Sequence, residues 1–323
     1  MINCAIAGLG RWGRSLVNAA EGLDRLEISR AVETDLERAR SFCTEHGIEL
    51  SGDFEAILAD PSIDAILLAT PHSLHREQVI AAAAAKKQVF CEKPLALCQS
   101  HAKEMFDACR AANVVLAVGH NRRYWPSIVA LRKIVARGEL GPILHAEGHN
   151  SNENSQVITQ GWRLSTEESP GGGLTGAGLH VLDAFVSLLG PARQVFARVS
   201  SRETGPPPLD TAMLAIDFAN GVTATLATVR ATPFYWRLHL FGTQGSAEVL
   251  DEVTTVLRKS GQPPEVRKYP PRDSLKAELE AFADAIEHKR PFPVREAEVL
   301  ATLSAFGAAL QSMQSGQAVT CDA

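Results

Sequence analysis

The sequence lacks an excess of basic charge. In 323 residues, 32 Lys and Arg stand against 37 Asp and Glu, a formal net charge of -5. Such a chain has no electrostatic footprint for nucleic acid or an anionic membrane, so no partner of either kind is expected, which leaves small-molecule chemistry. Cysteine is scarce. None of Cys4, Cys43, Cys91, Cys98, Cys109 and Cys321 forms a C-x-x-C pair or a zinc-ligand spacing, and reduced thiols in a cytoplasmic protein are expected. No apolar run approaches the ~20 residues that cross a bilayer. Residues 1–7 enter a glycine-rich turn with no basic segment ahead of them, so no secretory leader is expected. Internal repeats and low-complexity tracts are missing too. What remains is 45% hydrophobic and 21% charged, the make-up of a globular chain, and its length predicts two domains.

The first 120 residues alternate short apolar runs with helical stretches. Strands are expected at 2–7, 28–33, 63–69, 88–91 and 114–118. Helices are expected at 14–22, 35–45, 53–59, 76–87 and 100–112. The run IDAILLA at 63–69 has the near-continuous apolar character of a strand buried on both faces. This alternation implies right-handed crossovers and a parallel, doubly wound sheet. Such sheets bind ligands at the carboxyl ends of their strands, so the loops after Ala7, Glu33, Ala69, Cys91 and Val118 are the ones to watch.

After Ser127 the texture changes. A helix to about Arg137 is followed by a strand from Ile143, a polar loop at 150–170, and a helix opened by Gly171-Gly172-Gly173 that runs to Leu189. Strands are then expected at 194–202, 211–218, 222–230, 236–241 and 247–250. Asn220-Gly221 is a strong hairpin signal between two of them. Helices at 274–289 and 296–314 close the chain. The fold expected is α/β, with a parallel-sheet domain over residues 1–120. A second α/β domain over 121–323 is expected to carry a large, open, mostly antiparallel sheet.

Gly8, Gly10 and Gly13 form G-x-G-x-x-G between the first strand and the first helix. The first glycine permits the tight turn, the second lets backbone approach a pyrophosphate, and the third allows close helix–strand packing; the helix N-terminus holds the anion. Glu33 ends the second strand 20 residues after Gly13, where a carboxylate accepts hydrogen bonds from ribose hydroxyls and repels a 2′-phosphate. The pattern predicts a Rossmann domain that binds NAD in preference to NADP, with Arg11 and Trp12 beside the pyrophosphate.

Three further segments follow strand ends: Ala69-Thr70-Pro71-His72-Ser73-Leu74-His75, Glu92-Lys93-Pro94, and Gly119-His120-Asn121-Arg122-Arg123-Tyr124. With the glycine turn, the helix bearing Gly178, His180 and Asp183, and the Arg290-Pro291-Phe292-Pro293-Val294 turn, the chain resembles the glucose-fructose oxidoreductase / inositol dehydrogenase family over almost its whole length. The resemblance implies an NAD-dependent dehydrogenase acting on CH–OH groups of a polyol, sugar or cyclic diol. It assigns Lys93 to contact both substrate and nicotinamide, and His180 to be its acid/base partner. It places Thr70, Pro71, His72, His75, Glu92 and Asn121 at the cofactor, with Asn121 also at the substrate. It also implies assembly, a homodimer or homotetramer, through the C-terminal sheet. Apart from the family, a lysine at the carboxyl edge of a parallel sheet, near a cationic nicotinamide in a dry pocket, has its charged form disfavoured and can exchange a hydroxyl proton. His180 is open to a structural reading as well as a catalytic one, and Asp183 at i+3 is expected to fix its tautomer.

One position departs from the family pattern. Polyol-oxidising members commonly carry an aspartate four residues before the histidine, where this chain has Gly176. That leaves room for a bulkier or anionic substrate, with Arg122, Arg123, Trp162 and Arg163 as candidate contacts, and His145, His149, Asn150, Asn152 and Asn154 as further ones. No metal site is read from these histidines. Two other activities of the family stay open: internal redox chemistry on tightly held NAD, as in glycoside cleavage or sugar dismutation, and non-catalytic sensing of NAD or a metabolite.

Overall fold

The computed structural model describes residues 1–153, 161–162, 165–201 and 211–322. The chain divides into two units, one made of Met1–Asn121 with Asp273–Glu296 and the other of Arg122–Arg272 with Ala297–Ala323.

In the first unit, six strands form one parallel sheet: β1 (Ile2–Ala7), β2 (Leu26–Val32), β3 (Glu49–Ser51), β4 (Ala65–Leu68), β5 (Gln88–Glu92) and β6 (Leu116–Gly119). Their order is β3-β2-β1-β4-β5-β6, so the winding reverses between β1 and β4, the switch point at which such sheets bind ligands. The crossovers carry α1 (Arg11–Ala20), α2 (Leu36–Glu45), α3 (Phe54–Ala59), α4 (His75–Ala84) and α5 (Gln99–Ala112). β4 and β6 are buried at every residue, which is why their sequences do not alternate. Asp35 caps α2 by accepting from the Arg38 amide, and Asp53 caps α3 by accepting from the Ala56 amide.

The second unit is built on nine strands: β7 (Ile143–Ser151), β8 (Ala192–Ser200), β9 (Thr211–Phe218), β10 (Thr223–Val229), β11 (Tyr235–Gly242), β12 (Gly245–Val249), β13 (Thr254–Arg258), β14 (Glu265–Lys268) and β15 (Val319–Thr320). They lie in the order β14-β13-β12-β11-β7-β10-β9-β8-β15. All pairs are antiparallel except β7 with β10. The core of this unit joins one face of the sheet to α6 (Pro126–Ala136), α7 (Leu179–Leu189) and the α9 helix (Glu296–Ser315) through Leu131, Phe185, Leu214, Leu238 and Phe306, among others. The other face is exposed along β9 but carries buried His239 and Glu248 on β11 and β12. Ala212, Leu214, Ile216 and Phe218 of β9 point inward, while Met213 and Ala215 are exposed, as the two-residue period of a half-covered sheet requires. The last helix of the first unit is α8 (Ser274–His288), which packs against α1 and β2.

Three features differ from the sequence expectation. β3, β14 and β15 are short edge strands of 3, 4 and 2 residues whose sequences carry no sustained apolar alternation, and β13 lies between the strand expected at 247–250 and the helix expected at 274–289. The glycine run does not open an ordinary helix: Leu174–Gly178 is a π-helical turn leading into α7. The polar loop does not begin at Asn150, because β7 continues to Ser151. No described helix is long and apolar enough to cross a membrane.

Candidate active site

The glycine turn has the geometry of a phosphate cradle. Gly8 has φ of +89°, and a Cβ there would lie 2.7 Å from the Ala69 carbonyl oxygen; one on Gly13 would lie 1.9 Å from the Gly8 carbonyl oxygen. These two glycines let backbone pack on backbone. Gly10 is different: a Cβ there would meet no atom within 4 Å, and Gly10 is the N-cap of α1 with no side chain capping the helix. The first amides of α1 therefore face open space, where the helix end favours an anion. Arg11 is exposed and Trp12 half-buried at this end. The turn is pinned from both sides. The Leu9 amide donates to Glu33 Oε2 at 2.8 Å, and the Leu9 carbonyl accepts from Arg14 Nε at 3.2 Å. Arg14 was not among the residues expected at the site; its position one turn into α1 was the available signal.

Glu33 follows β2 directly, as the motif predicts. Its Oε1 accepts from the Thr34 amide at 2.8 Å. Burial acts to raise its pKa, but the amides of Leu9, Thr34 and Asp35 outweigh it and hold the carboxyl below the ordinary range. Arg38 Nη2 lies 3.4 Å from Glu33 Oε2, so this arginine already has an acidic partner. An open anion cradle at a helix end, with an ionised carboxylate 20 residues on, fits the pyrophosphate and ribose of NAD.

The loops after β4 and β5 are tied together by His75. Its ring is fully buried, with Nδ1 3.0 Å from the Pro94 carbonyl oxygen and Nε2 3.1 Å from the Thr70 carbonyl oxygen. His75 therefore acts here as a brace of the cofactor loops. Thr70 Oγ1 donates to Gln78 Oε1 at 2.5 Å, and half-buried Pro71 and His72 complete this loop. Lys93 stands just past the end of β5 and is only 8% exposed. Its amide donates to Glu92 Oε2 at 3.2 Å, and the Lys93–Pro94 peptide is cis. Gly119, at the end of β6, lies so close to Glu92 that a Cβ would sit 3.0 Å from its Oε1. Asn121 donates from Nδ2 to Ser274 Oγ at 3.0 Å, which ties the loop after β6 to the start of α8.

In the second unit, His180 is buried in the first turn of α7. Both oxygens of Asp183, three residues on, accept from Arg123: Oδ2 from Nε at 2.7 Å and Oδ1 from Nη2 at 2.6 Å. Arg123 Nη1 also pairs with Glu298 of α9. Desolvation works against the charge on Arg123, and the two carboxylates outweigh it. Arg122 lies over Trp125 and Trp236, its guanidinium carbon 4.9 and 4.5 Å from their ring centroids. Within this unit the Arg123 guanidinium is shared between two carboxylates, and that of Arg122 is stacked on two indole faces. Asn150 is buried and donates to the Ala177 carbonyl at 2.7 Å, holding the π-turn. His145 pairs with Thr223 at 2.7 Å, and His149 is beside Ser151. A Cβ at Gly176, the position where relatives carry the aspartate, would meet no atom of the described residues within 4 Å. Trp162 is half-buried, whereas Arg163 and Asn154 lie outside the described residues.

Two family models match the chain. Residues 2–120 match the oxidoreductase family with an NAD-binding Rossmann fold, and residues 128–248 match the GFO/IDH/MocA C-terminal domain. The 1,5-anhydro-D-fructose reductase of Ensifer adhaerens is 32% identical over 275 residues, 82% of this chain and 82% of that protein. The scyllo-inositol 2-dehydrogenase (NAD(+)) of Bacillus subtilis is 26% identical over 340 residues, 99% of this chain and 96% of that protein. Among solved structures, levoglucosan dehydrogenase in complex with NADH and levoglucosan superposes with a TM-score of 0.91 over 100% of both chains at 22% identity, a likeness of fold.

Proposed function

Because the chain belongs to the GFO/IDH/MocA family of NAD-binding oxidoreductases, we propose that it transfers a hydride between NAD and a hydroxyl-bearing carbon of a polyol, sugar or related cyclic diol. Bound NAD supplies the hydride acceptor or donor at its nicotinamide ring. The chain supplies the rest. The cradle at Gly10 holds the pyrophosphate, and Glu33 favours the ribose hydroxyls of NAD over a 2′-phosphate. Lys93 takes the hydroxyl proton as the substrate carbon is oxidised, and returns it in the reverse direction. His180 is proposed as the second acid/base group, held in place by the helix that Arg123 and Asn150 secure.

The observation that carries this reading is the setting of Lys93. It stands at the carboxyl end of β5, nearly buried, on a turn fixed from one side by Glu92 and from the other by His75. A lysine held there has little water to keep it charged, which suits a proton-exchanging group. The two named relatives act on a cyclic polyol and an anhydro sugar, which supports a hydroxylated ring as substrate. The open position at Gly176 supports one larger than a simple inositol. We further propose a cytoplasmic enzyme, in keeping with six unbridged thiols, assembled as a homodimer or homotetramer through the open face of the nine-stranded sheet.

The test is a screen of NADH formation with NAD and with NADP against inositols, aldoses, anhydro sugars and cyclic diols, run beside Lys93→Ala. Turnover with NAD on one ring class, reduced about 100-fold or more in the variant, is the expected result. Turnover that survives in Lys93→Ala overturns the role given to the lysine. Binding of NADH with no turnover across the panel moves the chemistry to a held cofactor or to sensing.

A further inference from the structure

Arg122 and Arg123 are neighbours in the chain, yet they are held in different ways. Two carboxylates neutralise Arg123. Arg122 has none. The indoles of Trp125 and Trp236 hold its guanidinium, and among the described residues it makes no ion pair. Its Nη1 is sealed from solvent and has no hydrogen-bond partner, although the residue as a whole is only half-buried. Burial pushes its pKa down to about 9, and the charge of Glu252 opposes that shift only in part. Stacking on an indole engages the flat face of a guanidinium and leaves its in-plane N–H donors free. The group whose geometry those donors match is a carboxylate.

The surroundings point the same way. Trp236 pairs with Asn150 across β11 and β7. Trp236 Nε1 and Asn150 Oδ1 are, like Arg122 Nη1, buried and without a partner among the described residues. Such atoms are rare in a folded chain, and these three lie on side chains that are neighbours. Phe234 is 60% exposed, with its ring centroid 5.8 Å from the Arg122 guanidinium carbon, and it offers an apolar face to ring carbons. The cluster adjoins the turn that leads to His180, because Asn150 donates to the carbonyl of Ala177, three residues before that histidine. On the same turn Gly176 takes the place of the aspartate that polyol-oxidising members commonly carry. An aspartate there would repel an anion, and the glycine removes that charge from an exposed position.

We propose that Arg122 binds a carboxylate of the substrate, so that the hydroxylated ring on which the chain acts is a sugar acid or a cyclic polyol acid. This rests on the reading of the chain as a dehydrogenase of hydroxylated rings, and it makes Arg122 a specificity residue. A bound carboxylate restores to the guanidinium the stabilisation that burial removes. A neutral ring of the same shape leaves the cation unpaired, and a site built for a charged group rejects such an analogue on that account.

The test uses matched pairs of probes: D-glucuronate with D-glucose, D-galacturonate with D-galactose, and quinate with scyllo-inositol. Binding is measured by calorimetric titration of the NADH complex, which cannot oxidise the probe, and turnover by NADH formation with NAD. At least one acid is expected to bind about 100-fold more tightly than its neutral partner. Arg122→Met is expected to bring that acid to the level of the neutral partner while NADH binds as before. Acids that bind no better than their neutral partners, or an acid that keeps its affinity in Arg122→Met, overturn the proposal. The two readouts separate the two claims. An acid bound through Arg122 but never oxidised upholds the subsite and counts against the dehydrogenase reading, whereas turnover of neutral rings alone upholds that reading and overturns the subsite. If Arg122→Met does not fold, Arg122→Lys keeps the charge without the planar fork. It is expected to weaken the acid about tenfold and leave the neutral partner unchanged, and an unweakened acid overturns the assignment.

Discussion

Glu33 serves the turn and the cofactor with one carboxylate. Its oxygens accept from the Leu9 and Thr34 amides, and its charge selects against a 2′-phosphate. Glu33→Gln removes the charge and leaves one acceptor for two amides. The variant is expected to lose one of these hydrogen bonds and the charge assistance of the other, roughly 2–3 kcal/mol, and to shift the ratio of NAD to NADP kcat/KM toward NADP about tenfold, since Arg38 is then released from its acidic partner. The pH dependence has a definite sign. The carboxyl is held below its ordinary range in the folded state, so its contribution is complete above the ordinary value of about 4.3 and is lost as pH falls through the folded value. Thermal melts of the two proteins should differ fully at neutral pH and converge at acid pH. A constant difference across that window would mean that ionised Glu33 does not clamp the turn. At this scale the sequence was readable where the chemistry is local. The glycine turn, Glu33 and Lys93 are set by a few neighbouring residues and a strand end. Arg14 reaching back to Leu9 and His75 bridging Thr70 to Pro94 were not readable, because each depends on how separate segments pack.

Among the elements, α7 owes its placement to buried charge. Arg123, Asp183 and Glu298 join the segment after β6, α7 and α9, with Arg123 and Asp183 side chains 4% and 3% exposed. Removing one partner of such a group leaves an uncompensated buried charge and costs about 3–5 kcal/mol, whereas replacing the group by apolar residues can be nearly neutral. Arg123→Met is therefore expected to lower stability by about that amount in urea unfolding, and the triple variant Arg123→Met, Asp183→Leu, Glu298→Gln to recover most of it. If Arg123 instead served substrate binding alone, the single variant would raise KM and leave the unfolding midpoint in place. The period of the apolar residues revealed most long strands and helices to within a few residues. It could not reveal the π-helical turn at Leu174–Gly178, since glycine and small residues carry no periodic signal, nor the short edge strands, whose pairing depends on a neighbour already in place.

At the scale of the molecule, the change from alternating strand and helix to successive hairpins marked two sheets of different kinds, and two sheets are present. The sequence order hid something else. α8 follows the last long hairpin strands, yet its residues belong with the first unit, and nothing in an amphipathic helix names the sheet it will cover. Its buried residues include Ala277, Leu279, Phe282 and Ala283, with Phe282 against Phe90. Deleting one large buried aromatic costs about 3–5 kcal/mol, and a whole domain is stable by only about 5–15 kcal/mol. A fragment of residues 1–121 loses that aromatic together with the rest of the apolar stripe, and Asn121 loses Ser274. It is expected to show no cooperative unfolding transition and no saturable NADH fluorescence. Joining residues 273–296 to its end by a flexible linker should restore both, because the cradle and the Lys93 turn then regain the helix beneath them. A fragment of 1–121 that folds and binds NADH as tightly as the full chain would show that α8 only covers the sheet.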